Sequence, residues 1–319
     1  MNERLTFTHM IKDELSQKEV SVSCAKSIIA SFIKLNGNII LSKNNTRLVL
    51  RTETSSTAKY LYKLLKIYYK DILVSFSYLK SMKLYKSIEY LININQGTNQ
   101  IFDDLKIDLL EDKIPYHLQD KEDKIRGYFI GSFLASGSCT DPVSSNYHLE
   151  IVVNDENYAN SIIKMSNKIK SAKFDFKSIK RRNKYVIYLK KSDQIANFLA
   201  FINADNSCMK FEDIRMDRDF SNTTNRLMNC DSYNFKKTLE NSKKQMEEIE
   251  FIDKILGIDN LQNEKLKALC KARITNPEAN YNELAEIISS EMGTKVSKSN
   301  VNHLFIRLRK MVEDYERKD

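Results

Sequence analysis

Two stretches of small and apolar residues, 29–37 and 129–137, stand out in the hydrophobic pattern, and each ends in glycine. Their apolar spacing predicts two buried helices, and the terminal glycines, Gly37 and Gly137, lie 100 residues apart. A glycine just past a helix predicts a left-handed C-terminal cap. Each stretch also has small side chains that allow the two helices to approach closely: Ala30 and Ser31 in one, Gly131 and Ser132 in the other.

The elements that follow each stretch occur in the same order, which indicates an internal duplication. In the first half, the periodicity predicts strands and helices at 38–41, 47–51, 56–69, 72–79 and 84–93. The second half has a turn at Asp141 and Pro142, followed by predicted elements at 147–153, 156–171, 173–180, 184–190 and 193–203. Each half is therefore predicted to fold as αββαββα.

The last third of the chain has helical periodicity. Predicted helices cover 263–274, 282–290 and 298–312, and Ser297 or Ser299 is placed to cap the last of them. That helix has one apolar stripe, formed by Val301, Leu304, Phe305, Leu308 and Met311. The polar segment 221–256 has apolar residues at helical spacing, namely Phe235, Leu239, Met246, Ile249 and Ile252. This spacing predicts an amphipathic helix packed against a domain.

Positive charge is concentrated in two segments. The chain has a formal net charge of +9, yet residues 160–194 alone hold 11 Lys or Arg against two Asp, and residues 59–86 hold seven Lys against one Asp. Each half has a Lys-rich hairpin at the equivalent point: Lys80, Lys83 and Lys86 in the first, and Lys177, Lys180, Arg181, Arg182 and Lys184 in the second. This recurrence favours contact with the phosphates of nucleic acid. Protective charge on exposed strand edges is the alternative.

Several classes of protein do not fit the sequence. No apolar run approaches the ~20 residues that a membrane-spanning helix needs, and no signal-like apolar core follows the N-terminus. The five cysteines include no C-x-x-C pair and the four histidines lie far apart, so no local metal motif is present. These features predict a cytoplasmic protein with reduced thiols, no cofactor and no membrane partner.

The motif pair at 29–37 and 129–137, with the repeated element order, resembles the LAGLIDADG homing-endonuclease fold. The resemblance implies two halves that pack through their motif helices and form a saddle whose strands lie along DNA. It also implies an acid at the penultimate position of each motif, because the metals that activate water for DNA cleavage need carboxylate oxygens. Asn36 and Ser136 stand at those positions here, which predicts a degenerate site that binds no metal and does not cut.

Three other polar residues lie near the motifs, and we expect each of them to have a structural role. We interpret Asp141 as a turn residue and Glu150 as a polar position in a strand. His148 is interpreted as a partly buried side chain that makes a hydrogen bond.

Further residues extend the resemblance to a particular family. The matching positions are 126–129, 131–138, 141–142 and 147–151, with Phe7, 11–15, 225–226, 229–231, Asn234, 237–238, 297–299, 301–303 and 307–310. This set is similar to the WhiA family of bacterial sporulation and cell-division regulators. The resemblance implies a degenerate homing-endonuclease domain joined to a helix-turn-helix.

The C-terminal helices also predict a helix-turn-helix without reference to the family. In this motif the N-terminal residues of the second helix contact base edges in the major groove. The expected donors and acceptors are Lys298, Ser299, Asn300, Asn302 and His303, while Arg307, Arg309 and Lys310 suit the DNA backbone. Residues 261–319 contain 11 Lys or Arg and nine acids, so charge alone does not support this function. A three-helix module with a solvated polar face is the alternative.

The sequence thus predicts an α+β fold, a duplicated LAGLIDADG-type αββαββα domain followed by an all-α helix-turn-helix domain. The expected divisions are 1–215, with halves at about 20–110 and 120–205, a helical linker at 216–256, and 257–319. We expect a monomeric, nucleoid-associated protein that binds double-stranded DNA. The resemblance to the WhiA family implies that it regulates transcription in cell division and chromosome segregation. The alternatives are a metal-dependent endonuclease with nonstandard ligands and an interaction scaffold of the division machinery.

Overall fold

The first part of the chain folds as two copies of one set of elements. The computed structural model describes residues 6–42, 45–80, 88–144 and 146–317, and contacts between Cα atoms divide the chain into two compact units, Met1–Arg218 and Asp219–Asp319. The first unit contains helix α1 (Phe7–Leu15), which the periodicity did not predict.

The two halves of the first unit have the same element order. The first half consists of α2 (Val22–Asn36), β1 (Gly37–Ser42), β2 (Asn45–Thr52), α3 (Ser55–Tyr68), β3 (Leu73–Lys80), β4 (Ile88–Gln96) and α4 (Thr98–Leu105). The second consists of α5 (Glu122–Ser136), β5 (Gly137–Cys139), β6 (Leu149–Val153), α6 (Glu156–Ser166), β7 (Lys177–Arg181), β8 (Lys184–Leu189) and α7 (Ser192–Phe201). The predicted αββαββα order is confirmed in both halves.

Each half contributes one antiparallel four-stranded sheet, in the orders β1-β2-β4-β3 and β5-β6-β8-β7. Successive side chains of a strand point to opposite faces. In the first sheet, Leu50 and its partner Ile92 belong to the core shared with the helices, whereas the neighbouring pair Val49 and Asn93 does not. The second sheet alternates in the same way. One face of each sheet therefore packs on helices, and we call the opposite one the outer face.

Helices α2 and α5 pack so closely that their backbones are in contact. A Cβ atom at Gly127 would overlap the carbonyl oxygen of Cys24, and one at Gly131 would overlap Ser31 Oγ and the carbonyl oxygen of Ile28. Only glycine fits at these two positions. The close approach predicted from the small side chains is therefore confirmed.

The left-handed caps predicted at the ends of these helices are wrong. Gly37 and Gly137 have φ angles of −83° and −76° and lead directly into β1 and β5. Glycine is required there for space. A Cβ atom at Gly37 would overlap the carbonyl oxygen of Ile33, and one at Gly137 would overlap the ring of Phe133.

Two predicted boundaries in the second half are also wrong. Helix α6 ends at Ser166 rather than at 171, and strand β7 begins at Lys177 rather than at 173. Phe174 and Phe176 alternate as in a strand, but both are buried against Phe198, with ring centroids 5.9 and 5.6 Å away. Packing in this aromatic cluster, rather than strand pairing, holds the segment.

The described residues of the second unit are helical. Helix α8 (Asp205–Leu256) begins in the first unit and ends in the second, where α9 (Glu264–Thr275), α10 (Tyr281–Met292) and α11 (Lys298–Glu316) follow. Ile249 and Ile252 of α8 are buried, whereas Phe235 is exposed. The predicted packing of 221–256 is thus confirmed near its end and wrong at Phe235. Among the described helices, none is long and apolar enough to cross a membrane.

A buried cation organises the turn between α9 and α10. Arg273 is 1% exposed, and its Nη1 donates to the carbonyl oxygens of Pro277 and Ala279 at 3.2 and 2.7 Å. Its guanidinium also lies 5.6 Å from the centroid of the Phe305 ring on α11. Arg273 thereby connects the three C-terminal helices.

Gly131→Ala should destabilise the first unit, although alanine has the higher helix propensity. The added methyl overlaps backbone of α2, so we expect the free energy of unfolding to fall by about 1–3 kcal/mol, measured by urea denaturation. Ser136→Ala on the same helix is the control, because the Ser136 hydroxyl is buried without a hydrogen-bond partner among the described residues. Equal stability of Gly131→Ala and wild type would contradict the close packing.

Candidate DNA-binding surfaces and the ends of the motif helices

The second basic hairpin exposes a row of cationic side chains. All five residues of β7 are exposed, and a two-residue turn, in which Arg182 has a left-handed φ of 58°, joins Arg181 to its partner Lys184. Strand alternation places Lys177, Arg181 and Lys184 on the outer face. Lys180 is on the opposite face and lies 5.8 Å from the Tyr185 ring centroid.

The first basic hairpin is described only in part. Lys80 is exposed at the end of β3, paired in register with Ile88. The other two predicted residues, Lys83 and Lys86, lie outside the described residues.

On the outer face of the first sheet, strands β3 and β4 carry hydrogen-bonded serine and asparagine side chains that the sequence prediction missed. Asn93 Nδ2 donates to Ser77 Oγ, and Asn95 Nδ2 donates to Ser75 Oγ, both at 3.0 Å. The signal was present in the alternation of asparagine along β4 and of serine along β3. Amide and hydroxyl groups of this kind can hydrogen-bond to DNA bases or phosphates.

Glu150 is part of a polar network on the second sheet. Its Oε2 lies 3.0 Å from His148 Nε2 and 3.6 Å from Arg181 Nη1, and its Oε1 accepts from Ser138 Oγ at 3.3 Å. Glu150 is confirmed as a polar residue of strand β6, and His148 as a partly buried side chain that makes a hydrogen bond, but His148 lies just before the strand rather than in it. Asp141 is confirmed as a turn residue, because its Oδ1 accepts from the Val143 amide at 3.0 Å.

The side chain at the first degenerate position is a hydrogen-bond donor. Asn36 Nδ2 donates to the carbonyl oxygen of Ala135 on α5 at 2.8 Å and to that of Arg51 on β2 at 3.2 Å. The second position, Ser136, has a buried hydroxyl without a partner among the described residues. The described residues also contain no group of three or more His, Cys, Asp or Glu that could hold a metal ion. Asn36 therefore links the two halves at the position where the resemblance predicted an acid.

A cavity of about 600 Å3 lies beside these helix ends. Its lining includes Asn36, Gly137 and Ser138, together with the charged residues Lys12, Arg51, Glu53, Glu89 and Lys184. Burial lowers the pKa of the Lys12 ammonium to about 8, and the Glu53 carboxylate opposes the shift. Lys12 belongs to the 11–15 motif, but its position in this cavity was not predicted.

Helix α11 presents the predicted reading residues to solvent. Val301, Phe305 and Leu308 are buried, as the apolar stripe predicted. Ser297 is the N-cap, because its Oγ accepts from the Asn300 amide at 3.2 Å. The other side of the helix is exposed at all eight predicted positions: Lys298, Ser299, Asn300, Asn302, His303, Arg307, Arg309 and Lys310.

Two of these eight side chains already have partners. Asn300 Oδ1 accepts from Ser297 Oγ at 3.1 Å, and Arg309 Nε donates to Glu248 Oε1 of α8 at 2.8 Å. The Glu248 carboxylate raises the pKa of Arg309. Arg309 is thus engaged within the second unit, which leaves Lys298, Asn302 and His303 as the less constrained donors and acceptors near the start of α11.

Two αββαββα halves joined through glycine-lined helices define a LAGLIDADG-type domain, and α9–α11 form a helix-turn-helix domain. Family models agree: residues 22–108 match the WhiA N-terminal LAGLIDADG-like domain, 125–221 the WhiA LAGLIDADG-like domain, and 224–312 the WhiA C-terminal HTH domain.

Whole-length relatives agree with the domain matches. The chain is 37% identical to the probable cell division protein WhiA of Enterococcus faecalis and 33% identical to that of Lacticaseibacillus paracasei, in each case covering 98% of both chains. It belongs to the WhiA family. The crystal structure of full-length WhiA from Thermotoga maritima has the same fold, with a TM-score of 0.58 at 22% identity, over 97% of this chain and 99% of that one.

Asn36→Asp should destabilise the first unit at neutral pH, because a carboxylate would place acceptors against two carbonyl oxygens. We expect a loss of about 1–3 kcal/mol of unfolding free energy at pH 7, and a smaller loss near pH 4, where a protonated carboxyl can donate one hydrogen bond. Asn38→Asp, an exposed residue lining the same cavity, is the matched control in chemical denaturation. An Asn36→Asp protein as stable as wild type at pH 7 would show that the two hydrogen bonds are unimportant.

Proposed function

We propose that this protein is a non-enzymatic regulator that binds double-stranded DNA through two surfaces. The observation that carries the proposal is the exposed polar side of α11, capped at Ser297 and held by a buried apolar stripe in a helix-turn-helix domain. A recognition helix of this kind inserts its N-terminal residues into the major groove. Asn302 can pair with an adenine, and Lys298 can reach a guanine or a phosphate.

The second proposed surface is the outer face of the duplicated domain. Lys177, Arg181 and Lys184 are exposed there, and strand alternation brings them to one side of the hairpin. Contacts between lysine or arginine and phosphates release counterions and provide affinity that does not depend on sequence. We therefore assign nonspecific affinity to the hairpins and sequence preference to α11.

Cleavage is not part of the proposed function. A hydrolytic metal site needs oxygen ligands that offset the charge of the cation, whereas Asn36 directs an amide donor to two carbonyl oxygens. The names of the curated relatives support an involvement in cell division. We propose that the protein acts as a monomer at the nucleoid in transcription control, with a link to chromosome segregation. In this proposal, residues 1–215 bind DNA nonspecifically, residues 216–256 form a linker, and residues 257–319 recognise the DNA sequence.

Reversing charge on the hairpin should weaken binding to all sequences. For Arg181→Glu with Arg182→Glu, we expect about a tenfold lower affinity for both a selected and a scrambled duplex, and a slope of log K against log salt smaller by about 2. The control is Lys59→Glu with Lys66→Glu on the exposed side of α3. Fluorescence anisotropy at several salt concentrations measures both quantities. Unchanged affinity and slope in the hairpin variant would remove this surface from the interface.

The duplex DNA used in these titrations also tests whether the protein lacks nuclease activity. Duplex recovered from the wild-type reaction after incubation with Mg²⁺ or Mn²⁺ should run at full length on a denaturing gel. A metal-dependent cleavage activity that co-purifies with the protein would favour a nuclease with nonstandard metal ligands.

Asn302→Ala should reduce sequence preference rather than overall affinity. Loss of a bidentate base contact removes about 1–3 kcal/mol of discrimination, so affinity for a duplex selected by the wild-type protein should fall while affinity for a scrambled duplex stays constant. Asn241→Ala, on an exposed position of α8, is the matched control. Equal losses on both duplexes would assign Asn302 to the phosphates instead.

A further inference from the structure

Helix α1 holds Lys12 in a fixed position beside the ends of the motif helices. Thr8 Oγ1 donates to the carbonyl oxygen of Cys139 and accepts from its amide, both at 2.9 Å, which attaches α1 to β5. Asp13 accepts a hydrogen bond from Ser56 Oγ on α3. Glu14 accepts from the amide of Ser207 at 2.9 Å at the start of α8. Lys12 therefore lies on a helix anchored to both halves and to α8.

The Lys12 ammonium has no hydrogen bond or ion pair within the described part of the chain. Its neighbours Ile11 and Leu15 are fully buried in the core, and Lys12 itself is only partly exposed and lines the cavity. Keeping a cation in such a place opposes folding unless something compensates for its charge. The neighbouring Asp13 and Glu14 make hydrogen bonds to other elements, whereas the described partner of the Lys12 charge is the carboxylate of Glu53, which acts through longer-range electrostatic attraction.

The other charged residues of the cavity leave it with an excess of positive charge. Arg51 Nη1 lies 3.6 Å from Glu89 Oε2, so these two charges compensate each other. Lys184, which is exposed and lines the same cavity, has no ion-pair partner among the described residues. Two ammonium groups and one remaining carboxylate, Glu53, suit an anion better than a divalent metal ion.

We propose that this cavity is a phosphate-binding site in which Lys12 and Lys184 provide the cationic donors. Ammonium groups would thus hold an oxyanion at the place where cleaving relatives of this fold would need metal ions. The phosphate can come from the DNA backbone or from a free phosphorylated small molecule, because both present the same oxyanion. Only the DNA source rests on the proposed function.

The site is tested first without DNA. Thermal unfolding of the full chain is followed in increasing inorganic phosphate, with chloride adjusted to constant ionic strength, because a ligand that binds only the folded state raises the Tm. We expect a phosphate-dependent rise for wild type and for Lys59→Met, an exposed lysine of α3 that serves as the matched control. Lys12→Met should bind phosphate with an apparent affinity at least about tenfold lower than wild type, and Lys184→Met should also bind phosphate more weakly.

Folding of the variants does not obscure this result. Lys12→Met removes a half-buried charge and keeps the aliphatic chain, so we expect it to be at least as stable as wild type without phosphate. Lys184→Met alters an exposed strand residue. The proposal would be overturned if phosphate did not raise the Tm of the wild type, or if it raised the Tm of Lys12→Met by the same amount.

A second arm identifies the source of the phosphate. If the DNA backbone fills the site, Lys12→Met should reduce the slope of log K against log salt for a scrambled duplex by about 0.9. If a free phosphorylated molecule fills it, the slope should stay unchanged while the phosphate-dependent rise in Tm is still lost. Absence of any duplex binding by wild type would contradict the proposed function, and the phosphate titration alone would then decide on the site.

Discussion

The crossing of α2 and α5 is the contact on which the rest of the first unit depends. Gly127 and Gly131 let the backbone of α5 touch that of α2 at Cys24 and Ile28, so the two halves share one core. Interiors are packed too densely to absorb an extra methyl at such a contact. Each sheet lies against its own helices, so the crossing also determines where the two outer faces stand relative to each other.

The same crossing brings two helix C-termini together, and the chemistry of the site follows from that convergence. Helix ends leave carbonyl oxygens without partners inside the helix, and the Asn36 amide satisfies one of them, at Ala135, across the two halves. Two carboxylates at this place would need metal ions to compensate their charge. An amide needs none, and the cavity beside it contains the Lys12 ammonium instead. The ends of the motif helices thus form a structural link between the two halves, with a cationic cavity next to it.

The sequence predicted the features that repeat and missed those that depend on packing. The spacing between Gly37 and Gly137 predicted the duplication, and the motif pair singled out Asn36, whose amide donates a hydrogen bond across the two halves. The conformation of both glycines was predicted wrongly, because the requirement is steric and comes from the preceding turn of each helix. Phe174 alternated like a strand residue although tertiary contacts hold it. The hydrophobic periodicity of the sequence does not indicate which atoms the Asn36 amide contacts, and it does not indicate that Lys12 lines the cavity.

We propose that the duplicated domain binds the DNA backbone while α11 contacts the bases. Hydrogen–deuterium exchange of the full chain, with and without a selected duplex, tests this claim most directly. We expect slower exchange on DNA binding at residues 177–184 of the hairpin and at 298–303 of α11, and little change at α3. Protection confined to the second unit, with the hairpin exchanging as in the free protein, would contradict it.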